Sequence, residues 1–156
     1  MKALQGNPSA AKGRFAIVAA RFNAFVVDPM VDSARQALEL HGIQAADITL
    51  VRVPGAYELP VAAEAIAASG KYSGIVALGA VIRGATSHFD YVAGECSRGI
   101  AQVGLKYSLP VIFGVLTTDD VDQALERAGS GAGNKGFDTS VAALQMIALL
   151  DRLRVE

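Results

Sequence analysis

The run Gly84-Ala85-Thr86-Ser87-His88-Phe89-Asp90 puts one of the chain's two histidines in the first turn of a predicted helix, just past the strand-like run of residues 74–82. Amides at a helix start are unpaired donors at the positive end of the helix dipole, so backbone alone can hold an anion such as a phosphate there. The same field disfavours a protonated imidazole, so His88 is expected to be neutral near pH 7 and able to take or give a proton beside a bound anion. Three other loops carry chemistry-bearing side chains: Arg21-Phe22-Asn23, Pro54-Gly55-Ala56-Tyr57-Glu58, and Phe113-Gly114 with Thr117-Thr118. Aromatic rings offer stacking faces, Glu58 can accept from hydroxyl groups, and Thr86 can join the helix amides around a phosphate. Each residue also has an ordinary structural use. Phe22 can be core packing, Glu58 can cap a helix, and Arg83 can pair with any nearby acid.

The elements that must position these residues are legible as an alternation of short apolar runs and longer helical patterns, the order of a parallel sheet with crossover helices. Strands are predicted at 15–20, 48–53, 74–80 and 110–115, and helices at 26–41, 57–68, from Thr86 or Ser87 to 105, and from Asp119 or Asp120 to 128. A last helix, capped by Asp138, is expected to run to Arg152. Thr86 and Ser87 are expected to cap the third helix, with Asp90 in a capping-box position. In open parallel sheets ligands sit outside the carboxyl ends of the strands, which is where all four loops fall. His41, next to Gly42 at a helix end, reads as structural. Residues 128–136 contain a formal GxGxxG at Gly131, Gly133 and Gly136, but it follows a helix rather than a strand, so it is not a dinucleotide fingerprint. That segment is either a flexible connection or a loop that brings Lys135 or Asn134 to a ligand.

Composition narrows the function classes. A chain of 156 residues fits one domain that buries roughly 70% of its unfolded surface. A net charge of -1 with scattered Lys and Arg gives no footprint for nucleic acid or an anionic membrane, so the expected partner is a small molecule. One cysteine, Cys96, and two histidines leave no intramolecular disulfide and no zinc-type ligand set. Cys96 reads as a small apolar filler. The first 13 residues lack an apolar signal core and no run approaches a membrane span, which points to the cytoplasm. Yet the chain is 52% hydrophobic and only 19% charged, unusual for a small monomer, and implies an oligomer that buries apolar surface between subunits.

Taken together, Arg21-Phe22-Asn23, the run from Val53 to Pro60, the run from Ala80 to Val92, Phe113-Gly114-Val115-Leu116-Thr117-Thr118 and Gly133-Asn134-Lys135-Gly136 resemble the 6,7-dimethyl-8-ribityllumazine synthase family, in the family's order and spacing from about Phe15 to Leu150. The resemblance implies a flavodoxin-like α/β fold: a three-layer α/β/α sandwich on a four-stranded parallel sheet, with residues 14–156 as a single domain. Residues 1–13 form an N-terminal arm able to add a strand to a neighbouring subunit. It implies a transferase of riboflavin biosynthesis that condenses 5-amino-6-(D-ribitylamino)uracil with 3,4-dihydroxy-2-butanone 4-phosphate, with no metal or organic cofactor. Position by position, Phe22 would stack on the pyrimidine, with Ala56, Tyr57, Glu58, Ala80, Val81 and Ile82 lining the pyrimidine and ribityl site. Ala85, Thr86 and Arg127 would bind the phosphate, His88 would be the general acid and base, Phe113 would come from the neighbouring subunit, and Lys135 would be a further contact. At 136–139 the chain departs from the family's more usual glutamate-alanine pair, although Asp138 keeps the charge.

The family builds homo-pentamers with active sites between subunits, and some members assemble further into icosahedral shells of sixty chains, with riboflavin synthase as a further partner. The connection between Arg127 and Asp138 lacks the extra residues of pentamer-only members, which inclines the resemblance to the shell. A non-catalytic flavin- or lumazine-binding protein, and a shell whose main role is structural, are the alternative functions on the same fold.

Overall fold

The computed structural model describes residues 1–129 and 134–156. Strands β1 (Phe15–Ala20), β2 (Ile48–Val53), β3 (Gly74–Ile82) and β4 (Val111–Thr118) pair in parallel in the order β2-β1-β3-β4. Five α-helices are found among the described residues: α1 (Ala24–Leu40), α2 (Leu59–Ala68), α3 (His88–Tyr107), α4 (Val121–Ala128) and α5 (Lys135–Val155). Alternation along the central strands divides the core. Phe15, Ile17 and Ala19 of β1 pack with Val27, Met30 and Leu38 of α1 and Leu144 and Ile147 of α5. Ala16, Val18 and Ala20 face the other way, towards Leu59 and Ala63 of α2 and Cys96 and Ile100 of α3. The result is the expected three-layer α/β/α sandwich of flavodoxin-like type. Burial on both faces explains why β1 and β3 read as unbroken apolar runs rather than alternating ones.

The first two strands match their predicted bounds. β3 runs two residues longer than expected, while β4 starts one residue later and ends three later, because the ladder continues through Val81–Thr117 and Ile82–Thr118. Backbone pairing needs no apolar side chain, so the polar Thr117-Thr118 hid that extension. Helix α1 starts at Ala24, two residues early, and α2 is preceded by a 3-10 turn at Ala56–Glu58. Asp120 caps α4 as expected, its carboxylate accepting from the Gln123 amide at 2.8 Å. His41 ends α1, with Nδ1 2.7 Å from the Ala37 carbonyl, and Gly42 follows at φ +97°.

The start of α5 differs from expectation. Its cap is Asn134, not Asp138, and four more residues are therefore helical at that end, Asp138 lying in the first turn. Asn134 is 2% exposed. Its Oδ1 accepts from the amides of Gly136 (2.8 Å) and Phe137 (3.3 Å), and its Nδ2 donates to the carbonyls of Ala128 and Gly129. One side chain thus closes α4 and opens α5, a use that removes Asn134 from any role towards a ligand. Gly131 and Gly133 of the glycine-rich run lie outside the described residues.

The N-terminal residues hold no strand in the single chain. A 3-10 turn at Pro8–Ala10 is capped by Asn7, the Gln5 carbonyl accepts from Arg152 at 2.9 Å, and Lys2 pairs with Glu156 at 2.7 Å. Among the described residues no helix is long and apolar enough to cross a membrane.

Gly136 fixes how closely α5 meets α1, since a Cβ there would overlap the Met30 carbonyl. Alanine is the better helix former by about 1 kcal/mol, yet overpacking against backbone costs typically 1–3 kcal/mol with no flexible side chain to give way. Gly136→Ala is therefore expected to lower the urea midpoint. A raised midpoint would mean that the two helices part without cost.

Candidate functional site

A cavity of about 740 Å³ opens at the carboxyl end of the sheet, and three loops that sequence had grouped converge on it. Its place is set by topology. β1 leads to β2 on one side, whereas β3 pairs on the other, and the chain segments that leave β1 and β3 diverge there. The β1–β3 ladder ends at Ala19–Leu78, and beyond it the floor is formed by Ala80, Val81 and Ile82.

Backbone hydrogen bonds carry order from the strands into the loops. The amides of Arg21 and Phe22 donate to the carbonyls of Val53 (2.8 Å) and Pro54 (3.0 Å), prolonging the β1–β2 ladder, and the Arg83 amide donates to the Thr118 carbonyl (2.8 Å) beyond β3–β4. Between these two extensions, Asn23 adopts the left-handed conformation (φ 60°) and its Nδ2 donates to the Ala80 carbonyl at 2.9 Å. That contact bridges the two sides of the gap. It also aims Phe22 into the cavity wall, where the ring is 71% exposed. Tyr57 faces the same space from the 3-10 turn at 56–58, together with Ala56 and the half-buried Glu58.

The opposite wall is the start of α3. Gly84, Thr86 and His88 line the cavity, with Phe89, Tyr91 and Val92 following on the helix. The expected capping occurs only in part, through Thr86. Ser87 makes no side-chain cap, the Thr86 hydroxyl is a long 3.5 Å from the His88 amide, and Asp90 donates its amide to the Ser87 carbonyl while its carboxylate turns to Arg83. Among the described residues the amides of Gly84–Ser87 have no hydrogen-bond partner. Unpaired amides at a helix start are the donors an oxyanion needs. The cavity therefore joins two chemistries: flat aromatic faces with a carboxylate on one side, and an anion-holding backbone with an imidazole on the other.

Residues 12–151 match the family described as 6,7-dimethyl-8-ribityllumazine synthase. The chain belongs to that family. It is accordingly a member of a family of transferases in riboflavin biosynthesis.

Of the residues singled out from sequence, Phe22, Ala56, Tyr57, Glu58, Ala80, Val81, Ile82, Thr86 and His88 line one cavity in this lumazine synthase family member. Ala85 lies between two lining residues, on the exposed rim. Phe113, Arg127 and Lys135 stand elsewhere. Phe113 is on β4 opposite Ala77, Arg127 donates to the Gln123 carbonyl (3.0 Å) on α4, and Lys135 is exposed at the first position of α5. Cys96 is fully buried on the inner face of α3, and burial pushes its thiol up to about 12, which keeps it a neutral packing group.

Contributors not picked out as site residues from sequence include Asn23 as the bridge, and Phe89, Tyr91 and Val92 on the wall. Asparagine after a strand was the only signal for the first, since it tolerates the left-handed region better than other non-glycine residues. Tyr91 and Val92 sit three and four residues beyond His88, a spacing that helical geometry brings to one face, whereas Phe89, the next residue, lines the wall from the flank of the helix.

Asn23 combines a backbone and a side-chain contribution that two variants separate. Asn23→Gly keeps the left-handed conformation and loses the hydrogen bond, for about 1 kcal/mol. Asn23→Ala loses both and is expected to cost about 1–2 kcal/mol more. Equal denaturation midpoints for the two variants would show that the backbone conformation contributes nothing.

Proposed function

We propose that the chain condenses 5-amino-6-(D-ribitylamino)uracil with 3,4-dihydroxy-2-butanone 4-phosphate to give 6,7-dimethyl-8-ribityllumazine, phosphate and water. The observation that carries the reading is the union, in one cavity, of an exposed aromatic face at Phe22, the partnerless amides that lead into α3, and His88 in the first turn of that helix. A flat heterocycle stacks on Phe22. Its ribityl hydroxyls meet Glu58 and the main chain at 56–58 and 80–82. The free amides of the α3 start, with the Thr86 hydroxyl, hold the phosphate of the second substrate.

Held in this way, the amine of the pyrimidine lies beside the carbonyl of the butanone. Imine formation expels one water, loss of the phosphate follows from proton removal next to the imine, and ring closure expels a second water. Each of these bond changes needs a proton moved among bound reactants, and His88, lining the same cavity, is the group that would take a proton from carbon or nitrogen and return it to a leaving oxygen. Positioning alone can be worth roughly 7–11 kcal/mol, more than one acid-base group contributes, so orientation dominates and His88 assists.

Phe113, Arg127 and Lys135 do not line the cavity of their own chain, which supports a site completed by a neighbouring subunit. On this reading Phe113 closes over the pyrimidine, Arg127 joins the phosphate, and Lys135 adds a contact. The exposed apolar residues Tyr91, Leu105, Leu125 and Met146 support burial between copies. The assembly is a homo-oligomer of pentamers in a sixty-chain shell, with residues 1–13 as an arm towards a neighbour.

Mixing both substrates with the protein and following the fluorescence of the lumazine tests the reaction. His88→Ala is expected to slow turnover by about 10- to 1000-fold without abolishing it. Complete loss in a correctly assembled variant would assign the dominant role to the histidine, and no fluorescence from the unaltered protein would favour a binding protein that turns nothing over. Sedimentation tests the assembly: the expectation is a species near sixty times the 16.2 kDa chain mass. A single species near five times that mass would overturn the shell.

A further inference from the structure

Arg83 is the first residue beyond β3, and its backbone is fixed to the end of β4 through the Thr118 carbonyl. From that anchor its side chain reaches over the loop to three partners. The guanidinium carbon is 4.2 Å from the centre of the Phe89 ring, Nε donates to Asp119 Oδ1 at 3.3 Å, and Nη1 lies 3.5 Å from Asp90 Oδ1. Phe89 and Asp90 belong to the first turn of α3, and Asp119 to the connection after β4. One side chain therefore ties the start of α3 to the ends of β3 and β4, spanning the four residues Gly84–Ser87.

That span is otherwise lightly held. Gly84 touches nothing that a Cβ would meet, Ser87 makes no cap, and the Thr86 hydroxyl is 3.5 Å from its nearest amide. A side-chain cap from Ser87 to the first turn is missing, and the turn is braced from outside instead. Exposed ion pairs are individually weak, yet a planar guanidinium stacked on a ring and shared by two carboxylates is held by three partners at once. Two carboxylates on one guanidinium leave the cluster net negative, so Arg83 is poorly suited to hold the phosphate itself.

We propose that Arg83 is a positioning residue, which by stacking on Phe89 and bridging Asp90 and Asp119 holds the Gly84–Ser87 cradle and His88 in the geometry that binds the substrate's phosphate. The proposal rests on the condensation proposed above, and it assigns Arg83 a task distinct from ligand contact. A brace of this kind acts on one substrate and not on the other. The pyrimidine meets Phe22 and the 56–58 turn, which Arg83 does not touch.

The test uses the assembled protein, with inorganic phosphate as the probe in calorimetry beside steady-state kinetics with both substrates. Arg83→Gln is expected to raise the phosphate Kd and the KM for the butanone phosphate together by roughly 3- to 30-fold, with the KM for the pyrimidine within about 2-fold and the assembly unchanged. Arg83→Lys keeps the charge without the flat fork and is expected to recover only part of the loss. Unchanged phosphate affinity in Arg83→Gln would overturn the proposal, as would equal weakening of both substrates or full recovery in Arg83→Lys. Should Arg83→Gln not fold, Asp119→Asn removes one brace from outside α3; a smaller loss of phosphate affinity is expected, and none would overturn the proposal. Unaltered protein that neither binds phosphate nor turns over would overturn the condensation and this proposal together, whereas active unaltered protein with an unimpaired Arg83→Gln would overturn this proposal alone.

Discussion

Strands β1 and β3 stop pairing at Ala19 and Leu78, and the cavity-lining residues are arranged around the gap that opens beyond them. A parallel sheet that parts at its carboxyl end leaves backbone polar groups that must find partners. On the β2 side they are met by the amides of Arg21 and Phe22, on the β4 side by that of Arg83, and across the gap by the side chain of Asn23. Each hydrogen bond that satisfies the sheet also fixes the first residues of a loop. The loops are thus ordered where they leave the strands, which is where Phe22 and the approach to His88 need to be held.

The start of α3 shows the opposite compromise. Two other helix starts use side-chain caps, whereas α1 and α2 have none: Asp120 accepts from the Gln123 amide at the start of α4, and Asn134 accepts from the first amides of α5 while also stitching α4 to it. Helix α3 is the longest but one and faces the cavity, yet Ser87 makes no cap and its start has only the long contact from the His88 amide to Thr86. A cap is commonly worth about 1 kcal/mol, so leaving it out is a real cost in a marginally stable domain. The exposed run Gly84–Ser87 is the part of the wall whose amides have no partner, and in the proposed reaction it is the part that must accept a charged group.

How much of this was legible from sequence follows from what each residue is asked to do. β1 and β2 were readable to the residue because their ends coincide with changes in hydrophobicity. The ends of β3 and β4 were not, because Val81–Thr117 and Ile82–Thr118 are paired through backbone alone. The cap of α5 was misplaced because Asp138 and Asn134 are both good cap residues, and the choice was made by tertiary contacts to the end of α4. His88 and Phe22 were found because loops after parallel strands are where ligands sit. Asn23 escaped notice as a bridge because its partner, Ala80, is 57 residues away and contributes only a carbonyl.

The cavity of one chain is strongly lopsided. Its floor and one aromatic wall are complete, but Phe22, Tyr57 and Tyr91 are all more than half exposed, and a small domain gains little by leaving large rings in water. In the proposed assembly the same rings serve twice, as packing surface between subunits and as walls for a flat substrate. A boundary between chains suits such a substrate: a heterocycle can be enclosed on both faces without either chain having to bury an empty slot through its own core, where a void would forfeit packing. The apolar composition that first pointed to an oligomer and the half-built cavity are then one feature. In that assembly the surface that would drive copies together is continuous with the surface that would bind the pyrimidine, so assembly would order the site before substrate arrives.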